Sequence, residues 1–369
     1  MKVALVCDWL TNVGGAEKVL LRIHELFPEA PIYTSQYDPK GIDWFSDADV
    51  RTGWLQKFPA SWRRFLGPFR QRYFSHLSLA GYDLVISVTG AEAKAVKVPD
   101  GIHICYCHVP TQYYWQMYDD YMKNPGFGLL NPLVRIFFAL FVWPLRRADF
   151  KSAKRPDYYV TISEYAKGLI KKYYGREAVV IHPPVETKEF AAACGKLVEN
   201  FYVTTSRQVN WKRIDLAVKA CEMTQRRLVV IGEGPEHKKL VKLAKGASKI
   251  EFLPLMGKKD LATKISKAEG YLFTSLEPFG IAPVEALAAG CPVIAYGKGG
   301  ALDYVKDGKN GILFEEQTAK SLAEAILKFE KLKFDRERVS RTAKDFSVER
   351  FDTELRHFVK KYEKKRHEK

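Results

Sequence analysis

Two carboxylates, Glu277 and Glu285, flank a turn built on Pro278-Phe279-Gly280 in the C-terminal half of the sequence. A carboxylate accepts strong hydrogen bonds from the hydroxyl groups of a sugar or a ribose. Residues 282–290 are rich in helix formers and end at a glycine, so we expect a helix to follow the turn. Because the free N–H groups at the start of a helix bind phosphate, the turn and the carboxylates together suit a nucleotide sugar.

Two basic residues, Arg207 and Lys212, lie five positions apart after an apolar run at residues 201–205 that predicts a strand. Two cations at the end of a strand can stabilise the negative charge that develops on a leaving diphosphate, without a metal ion. A solvated basic loop is the other interpretation of the same residues.

A glycine pair, Gly14-Gly15, separates a buried strand expected at residues 2–7 from a helix whose apolar residues include Val19, Leu20 and Ile23. A strand, a glycine turn and a helix start place backbone amides where an anion can bind. The pattern is neither the dinucleotide-binding fingerprint nor a P-loop, and a structural tight turn explains it equally well.

A single histidine, His108, directly follows the strand expected at residues 103–107 and precedes Val109-Pro110. Side chains at the carboxyl ends of parallel strands face the crevice where open α/β sheets bind ligands. An imidazole in that position can orient a sugar or stabilise the charge of a diphosphate. A lone histidine is often structural, and the sequence leaves both roles open.

The elements that must position these residues are short apolar strands that alternate with helices along the chain. This alternation predicts an α/β fold built on parallel sheets. A chain of 369 residues is too long for one typical domain, and two domains of moderate size fit it well. Pro183-Pro184 and the polar residues up to Asn200 are typical of a linker between them.

The stretch from Glu277 to Ala286, followed by Gly290-Cys291-Pro292, resembles the donor-binding motif of retaining glycosyltransferases of family 4, in particular the O-antigen-type mannosyltransferase-like branch. The resemblance implies the GT-B architecture, in which two Rossmann-like domains face each other across a deep cleft. It also implies three parts: an acceptor-binding domain at residues 1–190, a donor-binding domain at 191–345, and a C-terminal helix at 346–369 that crosses back to the N-terminal domain.

The same resemblance assigns roles to the candidate residues. Glu277 would orient the hydroxyls of the donor sugar, and Glu285 would hold the ribose. Arg207 and Lys212 match the basic pair that stabilises the leaving diphosphate, and the segment around His108 matches a His-x-Pro segment of the mannosyltransferase branch. Further donor contacts are implied for Gly14, Gly15, Phe279, Gly280 and Ile281.

The implied reaction transfers a sugar with retention of the anomeric configuration. GDP-mannose is the donor that the resemblance favours, and the acceptor is a glycan or a polyprenyl-diphosphate-linked glycan of cell-surface polysaccharide synthesis. The alternatives are a UDP-sugar donor carrying glucose, N-acetylglucosamine or galactose, and a non-catalytic protein that binds sugar nucleotides. No cofactor and no metal ion is expected, and Asp47-Ala48-Asp49 is interpreted as incidental because it lies in a polar loop far from the other motifs.

The formal net charge of +16 is compatible with nucleic acid, anionic lipid or anionic small substrates as partners, and by itself it decides little between them. No recognised nucleic-acid-binding motif accompanies it, so we expect no nucleic acid partner. Between Val50 and Tyr82 there is no acidic residue, and aromatic residues are interleaved with bases. This pattern is typical of a segment that docks on an anionic membrane surface. Aromatic packing beneath a solvated basic face explains it equally well. The bases are Arg51, Lys57, Arg63, Arg64, Arg70 and Arg72.

Six cysteines without CxxC spacing, and an N-terminus without a signal-peptide pattern, favour a cytoplasmic protein with reduced thiols. The apolar run from Ile136 to Leu145 is too short to span a bilayer. We expect the block from Leu133 to Leu145 to form a buried helix between the domains, with a membrane-facing helix as the alternative. Peripheral attachment to the inner face of the cytoplasmic membrane is the corresponding alternative location.

Overall fold

The chain divides into two compact units, which we describe separately. The first unit comprises Met1–His182 and Glu354–Lys369, and the second comprises Pro183–Thr353. The structure is a computed structural model that describes residues 1–123, 125, 128–195, 197–246 and 249–367, without the side chains of Arg64 and of residues 364–367.

Seven strands in the described part of the first unit form one parallel sheet. They are β1 (Val3–Cys7), β2 (Ile32–Thr34), β3 (Val50–Arg51), β4 (Leu84–Thr89), β5 (Ile102–Cys107), β6 (Tyr158–Thr161) and β7 (Val179–Val180). Their order across the sheet is β3-β2-β1-β4-β5-β6-β7. The central strands β1, β4 and β5 are apolar and buried on both faces, as strands of a parallel sheet are when helices cover it.

The helices described in this part of the chain are α1 (Gly15–Leu26), α2 (Gly67–His76), α3 (Tyr118–Lys123), α4 (Asn131–Ser152) and α5 (Glu164–Tyr174). In α1 the three apolar residues Val19, Leu20 and Ile23 are buried, as their spacing predicts. Helix α2 begins at Gly67-Pro68, because proline is accepted in the first turn of a helix, where its missing N–H leaves no hydrogen bond unmade.

The second unit contains a parallel sheet of six described strands. They are β8 (Tyr202–Thr205), β9 (Leu228–Ile231), β10 (Ile250–Leu253), β11 (Gly270–Phe273), β12 (Val293–Tyr296) and β13 (Gly311–Phe314), in the order β10-β9-β8-β11-β12-β13. The helices of this part are α6 (Thr187–Ala192), α7 (Ile214–Met223), α8 (His237–Leu243), α9 (Lys258–Lys267), α10 (Ile281–Ala288), α11 (Ala301–Tyr304), α12 (Ala319–Phe329), α13 (Arg336–Thr342) and α14 (Val348–His367). Two parallel sheets with intervening helices confirm the predicted α/β fold.

The division between the units lies at His182 and Pro183, before the boundary expected at residue 190. The N–H of Val185 donates to the carbonyl of Phe346 at 3.0 Å, so the chain already belongs to the second unit where the sequence predicted a linker. Helix α14 begins in the second unit, and its residues from Glu354 onward belong to the first. There the ring of Tyr362 lies 3.8 Å from that of Tyr158 on β6.

Helix α4 is the element whose environment differs most from the prediction. Of its 22 residues only Val142, Asp149 and Ser152 are buried, so the expectation of a buried helix is wrong. Among the residues that the structure describes, one helical segment, Gly128–Ser152, is long and apolar enough to cross a membrane by length and composition. Apolar composition alone did not reveal the exposure of this helix, because a core helix and a surface-docking helix share that composition.

Candidate functional site

In the second sheet the strand order reverses between β8 and β11: β9 lies on one side of β8, and β11 lies on the other. In open parallel sheets, ligands bind beyond the carboxyl ends of the strands at such a switch point. The loops that follow these two strands carry Lys212 and Glu277. A small cavity of about 40 Å³ lies between the loops, and its lining includes Lys212, Glu277, Gly280 and Ile281.

The ammonium group of Lys212 donates a hydrogen bond to Glu277 Oε1 at 2.6 Å. The same oxygen accepts the hydroxyl of Ser275 at 2.5 Å. The two side chains are 23% and 19% exposed, so the ion pair is partly screened from solvent and still open to a ligand. The hydroxyl of Thr274 donates to the carbonyl of Lys212 at 2.9 Å, which ties the two loops together at the backbone.

Gly280 sits at the start of α10 with φ +97°, a backbone conformation that favours glycine. A Cβ at this position would lie 2.7 Å from the ring of Phe273 and 2.9 Å from the hydroxyl of Tyr304. The close approach lets the loop after β11 turn sharply into α10. The first turn of that helix, at Ile281, therefore lines the cavity beside Glu277.

A second glycine turn, Gly299-Gly300, supports the Glu277 loop from behind. Gly300 N–H donates to the carbonyl of Glu277 at 2.8 Å. Gly299 has φ +77°, and a Cβ on it would lie 2.5 Å from that same carbonyl oxygen. These glycines therefore pack against the backbone that carries Glu277.

Phe279 lies in the core and not in the cavity. Its ring contacts Tyr304 and Phe346 at centroid distances of 5.5 Å and 5.9 Å, and its side chain is buried. The hydroxyl of Tyr304 donates to the Phe279 carbonyl at 2.8 Å. The family resemblance implied a donor contact for Phe279. In the structure its side chain lies in the core, where it holds the loop that carries Glu277.

Glu285 lies on α10 and is half-buried. Burial raises the pKa of Tyr271 well above its usual range, and the charges of Glu285 and Glu277 raise it further. The hydroxyl of Tyr271 is hydrogen-bonded to Thr205, the last residue of β8, at 2.9 Å. Tyr271 thus lies within electrostatic reach of both carboxylates and joins β11 to β8 beneath the cavity.

Arg207 follows β8 and has an exposed side chain. The next residue, Gln208, is fully buried, and its amide group donates to the Gly232 carbonyl and shares a hydrogen bond of 2.8 Å with His237 Nδ1. A Cβ on Gly232 would lie 2.4 Å from Ser206 O, so the turn after β9 packs directly on the loop that presents Arg207. This packing fixes the backbone of the basic loop, whereas Arg207 itself is exposed.

In the first sheet the strand order also reverses, between β1 and β4. Asp8 directly follows β1, and its carboxylate accepts hydrogen bonds from the Thr89 hydroxyl, at 2.8 and 2.9 Å, and from the N–H groups of Gly90 and Ala93, at 3.0 and 2.8 Å. Asp8 therefore joins the loops that follow the two strands. Asp8 was missed at the sequence level, although its position directly after a strand is the signal that identified His108.

Gly14 and Gly15 lie at the start of α1, where Gly14 is the residue before the helix. A Cβ on Gly14 would lie 2.6 Å from Glu17 Oε2, so the carboxylate of Glu17 covers this glycine. Burial raises the pKa of Glu17 to about 7, with a further increase from Asp8 and a decrease from Arg63. The glycine turn predicted as an anion site is thus adjacent to a carboxyl group that changes charge near neutral pH.

His108 lies after β5, and its N–H donates to the Thr89 carbonyl at 2.9 Å. Its ring is 5.6 Å from that of Tyr106, and its Nε2 is buried without a hydrogen-bond partner among the described residues. Burial lowers the pKa of His108 to about 4, so the imidazole is neutral at neutral pH. A neutral ring with one unmade hydrogen bond can bind a hydroxyl group, but it cannot supply a full positive charge to a diphosphate.

The structure thus brings Lys212, Glu277, Gly280 and Ile281 together in one cavity of the second unit. Gly14, Gly15 and His108 belong to the first unit. Sequence reasoning missed Ser275, Tyr271 and Gln208, which hold the candidate residues in place. A polar residue in the loop after a strand was the signal available for Ser275, whereas a buried tyrosine on a strand carries no such signal.

Within the described ranges, no three His, Cys, Asp or Glu side chains form a group suited to a metal ion. Asp49 of Asp47-Ala48-Asp49 pairs instead with Arg51 at 2.6 Å on the surface. Cys105 and Cys107, adjacent in space on β5, are buried free thiols in an apolar cluster with Tyr159. The cation that lines the cavity is Lys212.

Residues 186–346 match the model of the family described as Glycosyl transferases group 1. YqgM of Bacillus subtilis, named as an uncharacterized glycosyltransferase, is 27% identical over 195 residues, which cover 50% of this chain and 54% of that protein. The alpha-1,3/1,6-mannosyltransferase alg2 of Schizosaccharomyces pombe is 23% identical over 366 residues, covering 82% of this chain and 68% of that protein. The matched part spans about half the length of YqgM.

Among solved structures, Alr3699/HepE of Anabaena in complex with UDP is similar to this chain with a TM-score of 0.71 and 18% identity. The likeness covers 98% of this chain and 100% of that one. It shows the fold, which consists of two Rossmann-like halves of the GT-B type. The two Rossmann-like halves predicted from the sequence are confirmed.

Proposed function

We propose that this chain is a retaining, metal-independent glycosyltransferase of the group 1 family. The observation that carries the proposal is the contact of Lys212 with Glu277 at the switch point of the second sheet, beside the start of α10. A cation for a diphosphate, a carboxylate for sugar hydroxyls and free helix N–H groups occur there together. The match of residues 186–346 to the family model supports the same assignment for this unit.

Mannose from GDP-mannose is the donor we propose. The likeness to alg2, which is named as a mannosyltransferase, supports the sugar, and the motif around Glu277 to Ala286 supports the branch. A UDP-sugar is the second candidate, because the similar structure of HepE contains UDP. Both donors place a diphosphate between a nucleoside and a sugar, so the same cation and carboxylate serve either.

We propose the following roles for residues of the second unit. Lys212 and Arg207 stabilise the negative charge that grows on the diphosphate as it leaves. Glu277 Oε1 is already occupied by Lys212 and Ser275, so among the described groups Oε2 is the oxygen left to accept the sugar hydroxyls. Glu285 accepts from the ribose, on the same helix whose first turn lines the cavity.

Retention requires the new bond to form on the face from which the diphosphate departs. The bond between the anomeric carbon and the phosphate oxygen breaks, and its electron pair stays on the phosphate. The acceptor oxygen bonds to the same carbon, and its proton passes to the departing phosphate oxygen. No protein carboxylate acts as a nucleophile in this scheme, and the basic pair acts by charge stabilisation.

We assign acceptor binding to the first unit. The unmade hydrogen bond of His108 Nε2 suits a hydroxyl of a glycan or of a lipid-linked glycan. The amides at Gly14 and Gly15 suit a phosphate group once the carboxyl of Glu17 is displaced or protonated.

The test is a thermal-shift screen of GDP-mannose, UDP-glucose, UDP-N-acetylglucosamine and UDP-galactose, followed by measurement of nucleotide release. A true donor raises the melting temperature by mass action. GDP-mannose is expected to give the largest shift and to release GDP slowly in the absence of acceptor. The Lys212→Ala variant should lose both effects.

Each other result has a definite meaning. A rise in melting temperature with a UDP-sugar and not with GDP-mannose would identify the UDP-sugar as the donor. The proposed reaction class would stay the same. Tight binding without nucleotide release, even with a panel of glycan acceptors, identifies a non-catalytic binding protein. No shift with any nucleotide sugar, in a protein that melts cooperatively, overturns the proposal.

A further inference from the structure

One face of α4 presents large apolar side chains to solvent along most of the helix. Six of them are between 46% and 69% exposed, a degree unusual for side chains of this size. A contiguous exposed apolar surface of this kind marks an interaction site in a folded protein. The six residues are Leu133, Ile136, Phe137, Leu140, Phe141 and Trp143, which we call the α4 apolar face.

The α4 apolar face belongs to a helix that is firmly held by its other side. Asp149 is buried and accepts hydrogen bonds from Lys94 at 2.6 Å, Trp115 Nε1 at 2.7 Å and the hydroxyls of Thr111 and Tyr174, each at 2.8 Å. Burying an ion pair with this many partners fixes the C-terminal half of α4 in the first unit. The exposed face therefore has a fixed orientation.

The exposed charges on α4 are all positive. Asp149 is the only acidic residue between Asn131 and Ser152, and it is buried against Lys94. Arg135 near one end of the helix, and Arg147 and Lys151 near the other, are exposed. An apolar face bracketed by cations matches an apolar layer bordered by anionic headgroups, and it does not match the mixed charges of a typical protein surface.

The helix is suited to lie in the membrane surface and not to cross it. The segment without charge between Arg135 and Arg146 contains ten residues. At 1.5 Å per residue it is about 15 Å long, roughly half the thickness of the hydrocarbon layer. Since Asp149 and Ser152 are buried in the unit, the C-terminal end of α4 cannot enter the bilayer.

A second exposed aromatic patch lies in the same unit, formed by Trp54, Trp62, Phe65 and Phe69. The buried Tyr114 packs between α2 and α4: its hydroxyl lies 3.3 Å from where a Cβ would stand on Gly67, and its ring is 6.4 Å from that of Phe138 on α4. Tryptophan and basic residues together are typical of the membrane interface.

Not every base predicted to face a membrane does so. Arg70 is buried and pairs with Glu92 at 2.9 Å, while Lys57 and Arg72 are exposed.

We propose that the α4 apolar face docks the first unit on an anionic lipid bilayer, with α4 lying in the plane of the interface. The aromatic patch at Trp54, Trp62, Phe65 and Phe69 provides a second, shallower contact. This surface goes beyond the proposed function, because its binding to lipid requires neither a donor nor an acceptor sugar.

The test is co-sedimentation with vesicles of phosphatidylcholine, alone and with part replaced by phosphatidylglycerol, at low and at high salt. We expect binding to the anionic vesicles that weakens at high salt. The double variant F137E/L140E should bind roughly tenfold or more weakly, because each side chain removed from the apolar layer weakens partitioning. The matched control is Leu327→Glu on α12 of the second unit, where a leucine of 47% exposure is replaced; it should bind like the unaltered chain.

A second measurement does not depend on the folding of a variant. Lipids brominated in their acyl chains should quench part of the tryptophan fluorescence of the unaltered chain, and Trp143→Phe should remove much of that quenching. Release of the bound protein by alkaline carbonate is expected for a helix in the interface.

Three results overturn the proposal. Unchanged vesicle binding by F137E/L140E, with a native circular-dichroism spectrum, shows that another surface binds lipid. Resistance to carbonate shows a helix that crosses the membrane. Absence of vesicle binding, together with a dimer in sedimentation velocity that the double variant dissociates, shows that the face binds a second copy of this chain.

Discussion

Lys212 Nζ and Glu277 Oε1 are 2.6 Å apart although 65 positions separate the two residues in the sequence. They follow β8 and β11, which are neighbours in the sheet only because the strand order changes direction between them. Each residue therefore neutralises the other before any donor is bound. A diphosphate that attracts Lys212 would weaken this pair and make Glu277 a better acceptor for the sugar hydroxyls.

Removing the cation tests this relationship directly. Lys212→Ala should lower kcat/KM for the donor by about 10²-fold to 10³-fold, since one group that stabilises developing charge is lost. The free energy of unfolding should fall by about 1 kcal/mol or less, because the pair is not fully buried. The measurements are initial rates and urea unfolding. Arg227→Ala, which breaks an exposed pair with Glu251 in the same unit, is the control and should leave kcat/KM unchanged.

The glycine turn behind the Glu277 loop predicts a difference between two similar substitutions. Gly299→Ala places a methyl group 2.5 Å from the Glu277 carbonyl at φ +77°, whereas Gly308→Ala, at φ +72°, meets no neighbouring atom. The backbone cost is about 1–2 kcal/mol in both, and Gly299→Ala adds about 1–3 kcal/mol of overpacking. Thermal and urea unfolding measure the difference. Equal destabilisation by Gly299→Ala and Gly308→Ala would contradict the prediction, because it would show that the Glu277 loop moves away from the added methyl group without a measurable cost.

The half-buried carboxyl of Glu17 predicts a pH-dependent stability. Its pKa is raised to about 7, so between pH 4.5 and 7 the folded chain holds a proton that the unfolded chain has released. The stabilisation from this group is complete below pH 4.5 and is lost as the pH rises through 7. Glu17→Gln should therefore gain stability relative to the unaltered chain between pH 5 and pH 8, by about 1 kcal/mol or more.

Urea unfolding at four pH values across that range measures the effect. Glu29→Gln, which removes an exposed carboxylate just beyond the end of α1, controls for the loss of one negative charge. A constant difference between Glu17→Gln and the unaltered chain would contradict the prediction.

The neutral imidazole of His108 predicts a rescue by glutamine. Because burial lowers its pKa to about 4, His108 acts at neutral pH through a hydrogen bond and not through charge. His108→Ala should lower kcat by about 10²-fold, and His108→Gln, which keeps a polar group in place, should retain more activity. The ratio of kcat for the unaltered chain to kcat for His108→Gln should stay constant from pH 5.5 to 8, because the imidazole is neutral throughout that range. A ratio that changes with a midpoint near the ordinary histidine pKa of about 6.5 would show that charge matters.

The ion pair of Lys94 and Asp149 predicts a large loss of stability when one partner is removed. Asp149→Asn leaves the buried ammonium of Lys94 without a counter-charge, so the free energy of unfolding should fall by about 3–5 kcal/mol. Lys167→Met, which breaks the exposed pair with Glu164, should cost about 0.5 kcal/mol or less. Chemical unfolding of both variants measures the contrast. Similar losses in the two would mean that Asp149 does not anchor α4.

The sequence determined the alternating elements, the two parallel sheets and the motif that contains Glu277 and Glu285. Local properties decide these features: runs of apolar residues form buried strands, and glycine or proline ends them. The same signals located Arg207 and Lys212, because residues at the end of a parallel strand lie at the edge where ligands bind.

Only the tertiary structure decided which of these residues touch and which are buried. The pairing of Lys212 with Glu277, the core position of Phe279 and the network around Asp149 depend on contacts between residues far apart in the sequence. The exposure of α4 is of the same kind, since an apolar helix has the same composition whether a protein core or a membrane covers it. The chain encodes its strands and helices locally, but burial and charge at the site arise from the way those elements pack.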